Sequence, residues 1–349
     1  MNPTVSIIIP ACNAEATLDR CLESILTQSL REIEVLCINN GSTDGTGEIL
    51  KRWKKQDKRV RIFTFEENNG QVMALKLGIS ESAGEYIMFA DADDRLLPGA
   101  CESLVRLIRE YRVDILQFGV KLNVPAGIDD RGWLNHFAPK ELTSEGVGIL
   151  YDCYSLRRFP YNYWNKIYRG EVCRTAAASM PELRIRISTD LYLTFFFLYH
   201  AKTFRSVTAG PFYEYYVGNG ISTRAPSVKK FALKCASSAI VPAIKGFLLR
   251  ENVLENNLFL LESILATQKR VVLSMLLSMP EITKETIDLA VKSWGSEILY
   301  DFILATGLLD AKCKSRGKLV PALIHQIRQQ NRPPASAGEI TLSVGQPAR

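Results

Sequence analysis

The sequence predicts an α/β fold, in which a mostly parallel sheet carries helices on both faces and a helical C-terminal region follows. From residue 5 to residue 122, short apolar runs alternate with segments whose apolar residues recur at helical spacing. The short runs are apolar throughout, which is typical of parallel strands that are buried on both faces. After residue 224 the apolar periodicity is helical only.

Each strand of the predicted sheet ends in turn or cap chemistry and leads towards a helix. The predicted strands are residues 5–10, 33–38, 60–65, 86–90 and 115–122. The helices between them carry their apolar residues at 18–26, 49–53, 72–79 and 104–108. Pro98 precedes the last of these helices, in a position that favours a helix start.

Three domains follow from these patterns. Residues 1–224 form the sheet domain, residues 225–331 the helical C-terminal domain, and residues 332–349 a tail predicted to be disordered. Basic residues lie at 312, 314, 316 and 318, beside the apolar stretch 298–309. The helical domain is therefore either a structural cap or homo-oligomer surface, or a peripheral contact with the inner face of the plasma membrane.

The composition excludes several classes of protein. The 349 residues are 47% hydrophobic and 23% charged, as in an ordinary globular chain that needs no disulfides to hold its core. The net charge of +6 is too scattered to indicate a nucleic-acid partner. No uninterrupted apolar run approaches the ~18 residues of a membrane-spanning helix, and no signal peptide opens the chain. These observations predict a cytoplasmic protein.

Three polar segments follow the first, second and fourth predicted strands, at residues 11–15, 39–44 and 91–94. Because ligands of parallel sheets bind at the carboxyl ends of the strands, we expect these segments to share one rim. The third segment contains Asp91 and Asp93, whose carboxylates favour a hard divalent cation such as Mg²⁺ or Mn²⁺ with substrate phosphates as co-ligands. An acidic turn without a metal is the alternative.

Together, these segments resemble family 2 glycosyltransferases of the GT-A fold. The resemblance rests on VSIIIPACN at 5–13, NNGSTDGT at 39–46 and GEYIMFADADD at 84–94, in the order and spacing of the family. It is close over residues 4–122 and looser as far as residue 224. It implies an inverting sugar transfer from a nucleotide-diphosphate sugar, with a divalent metal, Mn²⁺ or Mg²⁺, as cofactor.

The resemblance also implies which residues bind the donor. The first nucleotide-binding loop corresponds to Pro10, Ala11, Asn13 and Glu15. Asn40 stands where the family usually has an aspartate that receives the uracil N3–H, and an amide oxygen accepts that bond more weakly. Asn69 lies in the loop that follows the third strand.

The acidic segment 91–94 corresponds to the Asp-x-Asp pair of the family, with Ala92 between the two aspartates. The resemblance implies that Asp93 is the direct metal ligand. Asp91 would reach the ribose or the water shell of the metal. Asp94 would orient them, or would cap the following helix.

Asp190 is implied as the general base for the acceptor hydroxyl, within the segment ISTDLYLTFF at 187–196. The alternative is a helix cap, because Asp190 opens an apolar helix. Thr189 stands where the family usually has a glutamate.

Two further segments are implied near the acceptor or the diphosphate. Trp164 and Lys166 resemble the Trp-x-Lys segment of the family, with a core role as the alternative for Trp164. Residues 215–224 resemble its closing loop, in which Ser222 or Arg224 can contact phosphates. A plain surface loop is the alternative.

The sequence thus predicts an inverting glycosyltransferase. It would move a sugar from a nucleotide-diphosphate sugar, a UDP-sugar above all, to a hydroxyl of a glycan, lipid-linked or protein-linked acceptor in bacterial surface polysaccharide or glycan assembly. The departures from the family pattern at Asn39, Asn40, Leu75 and Thr189 favour the alternative, a non-catalytic nucleotide-sugar-binding subunit.

Overall fold

The structure is a computed structural model that describes residues 3–125, 134, 136–218, 227–279 and 281–298. Its strands are β1 (Val5–Ala11), β2 (Ile33–Asn40), β3 (Val60–Phe65), β4 (Tyr86–Phe89), β5 (Arg95–Leu96), β6 (Ile115–Gln117), β7 (Val120–Asn123), β8 (Leu142–Glu145), β9 (Lys166–Arg169), β10 (Thr203–Ser206) and β11 (Tyr213–Tyr216). Eight of them form the main sheet, in the spatial order β3-β2-β1-β4-β9-β6-β10-β8. The other three form a small sheet in the order β5-β11-β7.

Ten α-helices of eight residues or more occur in the part of the chain that the structure describes. They are α1 (Leu18–Leu26), α2 (Thr46–Gln56), α3 (Gln71–Ser80), α4 (Ala100–Tyr111), α5 (Gly170–Ser179), α6 (Thr189–His200), α7 (Val228–Cys235), α8 (Ile240–Arg250), α9 (Leu258–Leu277) and α10 (Lys284–Trp294). Helices α1 to α4 alternate with the strands of the first 117 residues, as the apolar spacing predicts.

The main sheet is mostly parallel, as predicted. β1 pairs in parallel with β2 and β4, and β2 pairs in parallel with β3. β9 runs antiparallel to both β4 and β6, and β8 runs antiparallel to β10. The residues of β2 are buried along its whole length, because helices cover both faces of this part of the sheet. The parallel pairing brings the ends of β1, β2 and β4 to one edge.

The predicted strand 115–122 is divided between the two sheets. β6 belongs to the main sheet and β7 to the small one. Between them, the N–H groups of Phe118 and Gly119 donate to the carbonyl oxygens of Asn165 (3.2 Å) and Ala209 (3.1 Å). Hydrophobic spacing did not reveal this division, since both pieces are extended and carry apolar residues.

Two compact units divide the chain between Val272 and Leu273. The first unit contains both sheets and extends beyond the predicted domain boundary at residue 224. Within it, α8 packs against α6, because the ring of Phe247 lies edge-on to the ring of Phe196 at 4.9 Å. In the second unit, α10 begins with a reciprocal capping box between Thr283 and Thr286. Residues 299–349, with the predicted basic cluster and tail, lie outside the described residues.

The stretch Val228–Arg250, which contains α7 and α8, is long and apolar enough to cross a membrane by length and composition. One third of its most apolar window is buried. Phe231, Ile244 and Phe247 are among its buried side chains, and they belong to the interior of the first unit. A helix that contributes to a protein core meets the same length and composition criteria, so this stretch alone does not indicate a membrane span.

Candidate active site

A cavity of about 560 Å³ opens at the carboxyl ends of β1, β2 and β4. This volume is within the range of a small-molecule site. Nine of the residues that the sequence assigns to donor binding or catalysis line it: Pro10, Ala11, Asn13, Asn40, Asp91, Ala92, Asp93, Trp164 and Asp190. The strand order therefore brings together segments that lie far apart along the chain.

The first loop is held against the N-terminus of α2. The Oδ1 atom of Asn13 accepts a hydrogen bond from the Thr43 N–H at 2.8 Å. The Glu15 carboxylate accepts one from the Gly45 N–H at 3.0 Å. Glu15 does not line the cavity, so its visible contribution is to hold the loop.

Asn40 fixes the loop that follows β3. Its Oδ1 atom accepts the backbone N–H of Asn69 at 3.0 Å, and its Nδ2 atom donates to the Oδ1 atom of Asn68 at 3.5 Å. An amide oxygen has two lone pairs, so one remains for a nucleotide base. Asn68 lines the cavity, whereas Asn69 acts here through its backbone.

The close approach of this loop to the end of β2 requires glycine at position 41. Gly41 has a φ of +67°, in the left-handed region. A Cβ atom there would lie 2.3 Å from the carbonyl carbon of Glu67. No side chain fits at that distance, because both the backbone conformation and the space exclude it.

Three carboxylates meet at the end of β4. Carboxylate oxygens of Asp91, Asp93 and Asp94, one from each residue, lie within 4.8 Å of one another. Burial, together with the charges of Asp93 and Asp190, raises the pKa of Asp91 to about 8. Burial also raises the pKa of Asp93 above its usual range. The cluster is electrostatically unfavourable by itself.

Asp94 differs from Asp91 and Asp93 because both of its carboxylate oxygens accept hydrogen bonds from residues of β11. The Tyr213 hydroxyl donates to Oδ2 at 2.9 Å, and the Tyr216 N–H donates to Oδ1 at 2.8 Å. Asp94 is fully buried and caps no helix. Its carboxylate therefore ties the small sheet to the acidic segment.

Asp91 and Asp93 have the chemistry of a divalent cation site. In the described residues, no Lys or Arg forms an ion pair with either carboxylate. The cation beside them, Arg20, donates instead to the carbonyl oxygen of Asp93. Unpaired carboxylates in a partly buried cluster suit Mg²⁺ or Mn²⁺, which take oxygen ligands.

Asp190 is the second residue of α6 and reaches the same cavity. Its Oδ1 atom accepts the backbone N–H of Tyr163 at 3.4 Å. Burial raises the pKa of Asp190 to about 6, although this N–H and the charges of Lys166 and Lys234 oppose the rise. A carboxylate with this pKa is ionised at neutral pH and can still accept a proton.

Comparison with known proteins supports the family resemblance. Residues 6–163 match the model described as Glycosyl transferase family 2. This stretch of the chain is similar to that family. Two of its relatives illustrate the range of similarity. The uncharacterized glycosyltransferase YibD of Escherichia coli K12 is 30% identical over 226 residues, which cover 63% of each chain. The putative teichuronic acid biosynthesis glycosyltransferase TuaG of Bacillus subtilis is 32% identical over 108 residues, 31% of this chain and 43% of TuaG.

The chain spans less than two thirds of the length of the curated relatives it matches. Its fold is similar to that of S. aureus TarS 1–349, with a TM-score of 0.59 over 95% of this chain and 88% of that chain, at 19% identity. TarS has also been solved in complex with UDP-GlcNAc and with UDP. The predicted GT-A fold is confirmed by this similarity. The match over residues 6–163 and the glycosyltransferase relatives agree with the predicted family and enzyme class.

Three residues that line the cavity were not predicted from the sequence. Tyr163 donates its hydroxyl to the Oδ1 atom of Asp91 at 2.9 Å and receives the Gln71 Nε2–H at 2.8 Å. Arg186 brings a guanidinium to the wall from the loop before α6. Tyr163 directly precedes Trp164 in an aromatic stretch, and Gln71 follows the Asn68-Asn69-Gly70 loop, so both adjoin recognised segments.

Trp164 is part of the core and also lines the cavity. Only 4% of its surface is exposed. Its ring stacks on Tyr215 with centroids 4.8 Å apart and planes 4° apart. It also stacks on Tyr213 of the small sheet at 4.9 Å. An edge of a packed aromatic column therefore forms part of the wall.

Lys166 does not line the cavity. It is fully buried, and its Nζ atom donates to the Pro160 carbonyl (3.0 Å), the Asn162 carbonyl and the Oδ1 atom of Asn165 (3.1 Å). Burial lowers the pKa of this ammonium to about 7. Its observed contacts support the segment 160–165.

The predicted closing loop is described only in part. Tyr215 and Gly218 line the cavity at its start, and Gly218 has a φ of +105°. Ser222 and Arg224 lie outside the described residues.

Proposed function

We propose that this protein is an inverting glycosyltransferase that transfers a sugar from a UDP-sugar to an acceptor hydroxyl. The observation that carries the proposal is the convergence of Asp91, Asp93 and Asp190 on one cavity at the carboxyl edge of a parallel sheet. Such an edge is where α/β folds bind nucleotides. The complexes of TarS with UDP-GlcNAc and UDP support the choice of nucleotide.

Asp93 and Asp91 would hold a divalent cation beside the diphosphate. When bound, such a cation acts as a Lewis acid for the charge that develops on the leaving diphosphate. Asp94 contributes by fixing the acidic segment to β11, since both of its oxygens already accept hydrogen bonds. Arg20 holds the backbone of Asp93 from α1, and its guanidinium lies 3.7 Å from the centre of the Tyr216 ring.

Asp190 is the proposed general base. It takes the proton of the acceptor hydroxyl while the acceptor oxygen attacks the anomeric carbon, and the bond from that carbon to the diphosphate oxygen breaks. Attack from the face opposite the leaving group inverts the anomeric configuration without a covalent intermediate with the protein. The Tyr163 N–H, which donates to its Oδ1 atom, would orient the carboxylate.

Other predicted residues are proposed to assist in donor and acceptor binding. Asn40 and the first loop, Pro10 to Glu15, would surround the base and ribose. Trp164 would offer an aromatic edge to a sugar, because sugar C–H groups pack against aromatic surfaces. Ser222 and Arg224 are proposed as phosphate contacts of the closing loop.

The proposed acceptor is a glycan, lipid-linked or protein-linked hydroxyl in bacterial surface polysaccharide assembly, at the cytoplasmic side of the plasma membrane. The similarity to TuaG, a putative teichuronic acid biosynthesis glycosyltransferase, supports this setting. The cavity that Asp190 lines has a volume of about 560 Å³, within the range of a small-molecule site.

A panel of nucleotide sugars tests the proposal. The full chain is incubated with each donor, with Mn²⁺ or with EDTA, and the free nucleoside diphosphate is measured. We expect Mn²⁺-dependent release from a UDP-sugar, and a loss of about 10²–10⁴-fold in Asp190→Asn, as is typical of a general base. Asp57→Asn is the matched control, since Asp57 pairs with Arg59 outside the cavity.

The same panel separates the enzyme from the non-catalytic alternative. A binding subunit would bind UDP but release no diphosphate from any donor, and Asp190→Asn would change nothing. That result would reject the proposed function.

A further inference from the structure

A buried ammonium from the C-terminal helices lies beside the start of α6. Lys234, on α7, is 9% exposed. Its Nζ atom donates to the Oγ atom of Ser188 at 2.6 Å. α7 begins 65 residues after the end of the stretch that matches the family model, 6–163. No motif in the sequence points to Lys234.

Ser188 occupies the N-cap position of α6, but its hydroxyl does not cap the helix. It accepts the Lys234 ammonium instead. Ser188 has a φ of +66°, a left-handed conformation that a serine rarely adopts without support. Its carbonyl oxygen accepts the Tyr192 N–H at 3.3 Å and so begins the helix. The turn that sets the direction of Asp190, two residues later, thus depends on a strained residue held by Lys234.

The position of this ammonium is unfavourable unless a negative charge is near. The N-terminus of a helix carries a partial positive charge, which repels a cation. Burial makes the charged form still more costly and lowers the pKa of Lys234 to about 8, while the charge of Asp190 acts in the opposite direction. In the described part of the chain, Lys234 forms no ion pair with any carboxylate. The carboxylate that offsets its charge is that of Asp190.

Lys166 provides the contrast. Its ammonium is also buried near Asp190, but three oxygens of the segment 160–165 accept its hydrogen bonds. Those contacts explain its presence without any reference to Asp190. Lys234 has one acceptor among the described residues, and this acceptor belongs to the turn that precedes Asp190. The hydroxyl of Thr189, between them, is buried without a partner and does not hold the turn.

We infer that Lys234 is a positioning residue for Asp190: its ammonium holds the Ser188 turn and stabilises the Asp190 carboxylate, so that helix α7 completes the catalytic site. This inference rests on the proposed function, in which Asp190 is the base. It gives the start of the helical C-terminal region a role in the reaction, beyond covering the sheet domain.

The test measures kcat and the donor KM of full-length variants with the UDP-sugar that the wild-type protein turns over. We expect Lys234→Met to lower kcat by about 10- to 100-fold, less than removal of the base itself, with a donor KM within about threefold of wild type. Lys234→Arg restores most of kcat because it keeps a cation and its donors. Lys245→Met is the matched control on α8, where Lys245 is exposed.

A double-mutant cycle with Asp190→Asn shows whether Lys234 affects turnover through Asp190. If Lys234 acts through Asp190, Lys234→Met costs no further activity in the Asp190→Asn protein. A full additional loss in that background would overturn the inference. So would a kcat within twofold of wild type in Lys234→Met. If Lys234→Met does not fold, Ser188→Ala takes its place, and an unchanged kcat in that variant overturns the inference.

The two failures are distinguishable. The proposed function fails if the wild-type chain releases no nucleoside diphosphate from any donor. The inference about Lys234 fails by itself when the wild-type chain is active and Asp190→Asn has lost activity, but one of the overturning results described above is found for Lys234→Met or Ser188→Ala.

Discussion

The phenol of Tyr163 donates a hydrogen bond to the Oδ1 atom of Asp91 across 2.9 Å. The backbone N–H of the same residue donates to Asp190 at 3.4 Å. One residue therefore contacts both the proposed metal site and the proposed base. Its hydroxyl also receives the Gln71 side chain, which fixes the direction of the phenol proton towards Asp91.

Removal of this phenol separates the two contacts. In Tyr163→Phe the N–H to Asp190 remains and the bond to Asp91 is lost. Because a hydrogen bond to a charged group contributes about 1.5–3 kcal/mol, we expect the affinity for Mn²⁺ and UDP to fall by roughly tenfold or more, with a smaller effect on kcat. Isothermal titration with UDP and Mn²⁺ measures the affinity.

Tyr154→Phe is the matched control for this change. It also loses a buried phenol bond, from Tyr154 to the Leu191 carbonyl at 2.7 Å, outside the cavity. Equal losses of affinity in the two variants would show that the effect of Tyr163→Phe is a general loss of packing.

Metal binding should depend on pH through Asp91. With a pKa of about 8, this carboxyl is mostly protonated at pH 7 in the metal-free protein. A cation must displace that proton, so the affinity for Mn²⁺ should rise up to about tenfold per pH unit from pH 6 to pH 8. Titration of Mn²⁺ at pH 6, 7 and 8 measures the slope. Asp91→Asn should bind weakly at each pH and show little slope, whereas a flat profile in the wild-type protein contradicts the prediction.

Substitution of Lys166 should reduce stability. Lys166→Met leaves the carbonyl oxygens of Pro160 and Asn162 without their donor, and each unsatisfied group costs about 1–3 kcal/mol. The melting temperature should therefore fall by several degrees, while UDP affinity stays within about twofold of wild type, because the ammonium does not line the cavity. Thermal unfolding and UDP titration measure the two effects, with the exposed Lys51→Met as control. A strong loss of UDP affinity at an unchanged melting temperature would instead support a diphosphate contact.

Gly41 should tolerate no side chain. Gly41→Ala combines an unfavourable φ with a Cβ atom 2.3 Å from the Glu67 backbone, so the loop before Asn68 must move. We expect a loss of stability larger than the ~1 kcal/mol of the φ strain alone, and a weaker affinity for UDP. Urea denaturation and UDP titration check both.

Gly99→Ala is the matched control for this substitution. Gly99 has a φ of +75°, but a Cβ atom there meets nothing within 4 Å. It should show the φ strain only and bind UDP normally. If Gly41→Ala were no less stable than Gly99→Ala, the close approach of the two loops would be unimportant.

The sheet and its acidic edge could be predicted because their causes are local. Runs such as 5–10 and 33–38 are apolar and rich in β-branched residues, so they form buried parallel strands. Parallel strands present their carboxyl ends on one side, which places Asn13, Asn40 and Asp93 together. Asp190 was predicted as the general base from its resemblance to a family motif, and its position in the wall of the cavity agrees with that prediction.

The remaining contacts depend on packing between distant segments. Tyr163 lies 72 residues from Asp91, and Lys234 lies 46 residues from Ser188. Spacing also places Trp164 and Lys166 two residues apart, which suggests a shared face. In the structure Trp164 reaches the cavity while the Lys166 ammonium turns back to the Pro160 carbonyl. No local pattern encodes that choice.

Anomalous diffraction from crystals soaked with Mn²⁺ and UDP shows whether Asp93 holds a metal ion beside the diphosphate. We expect a manganese peak at the end of β4, ligated by Asp93 at about 2.0–2.2 Å and shared with the diphosphate. Asp190 should face the same space without touching the ion. UDP bound in the cavity with no manganese near Asp91 or Asp93, or manganese bound at a different site, would contradict the account.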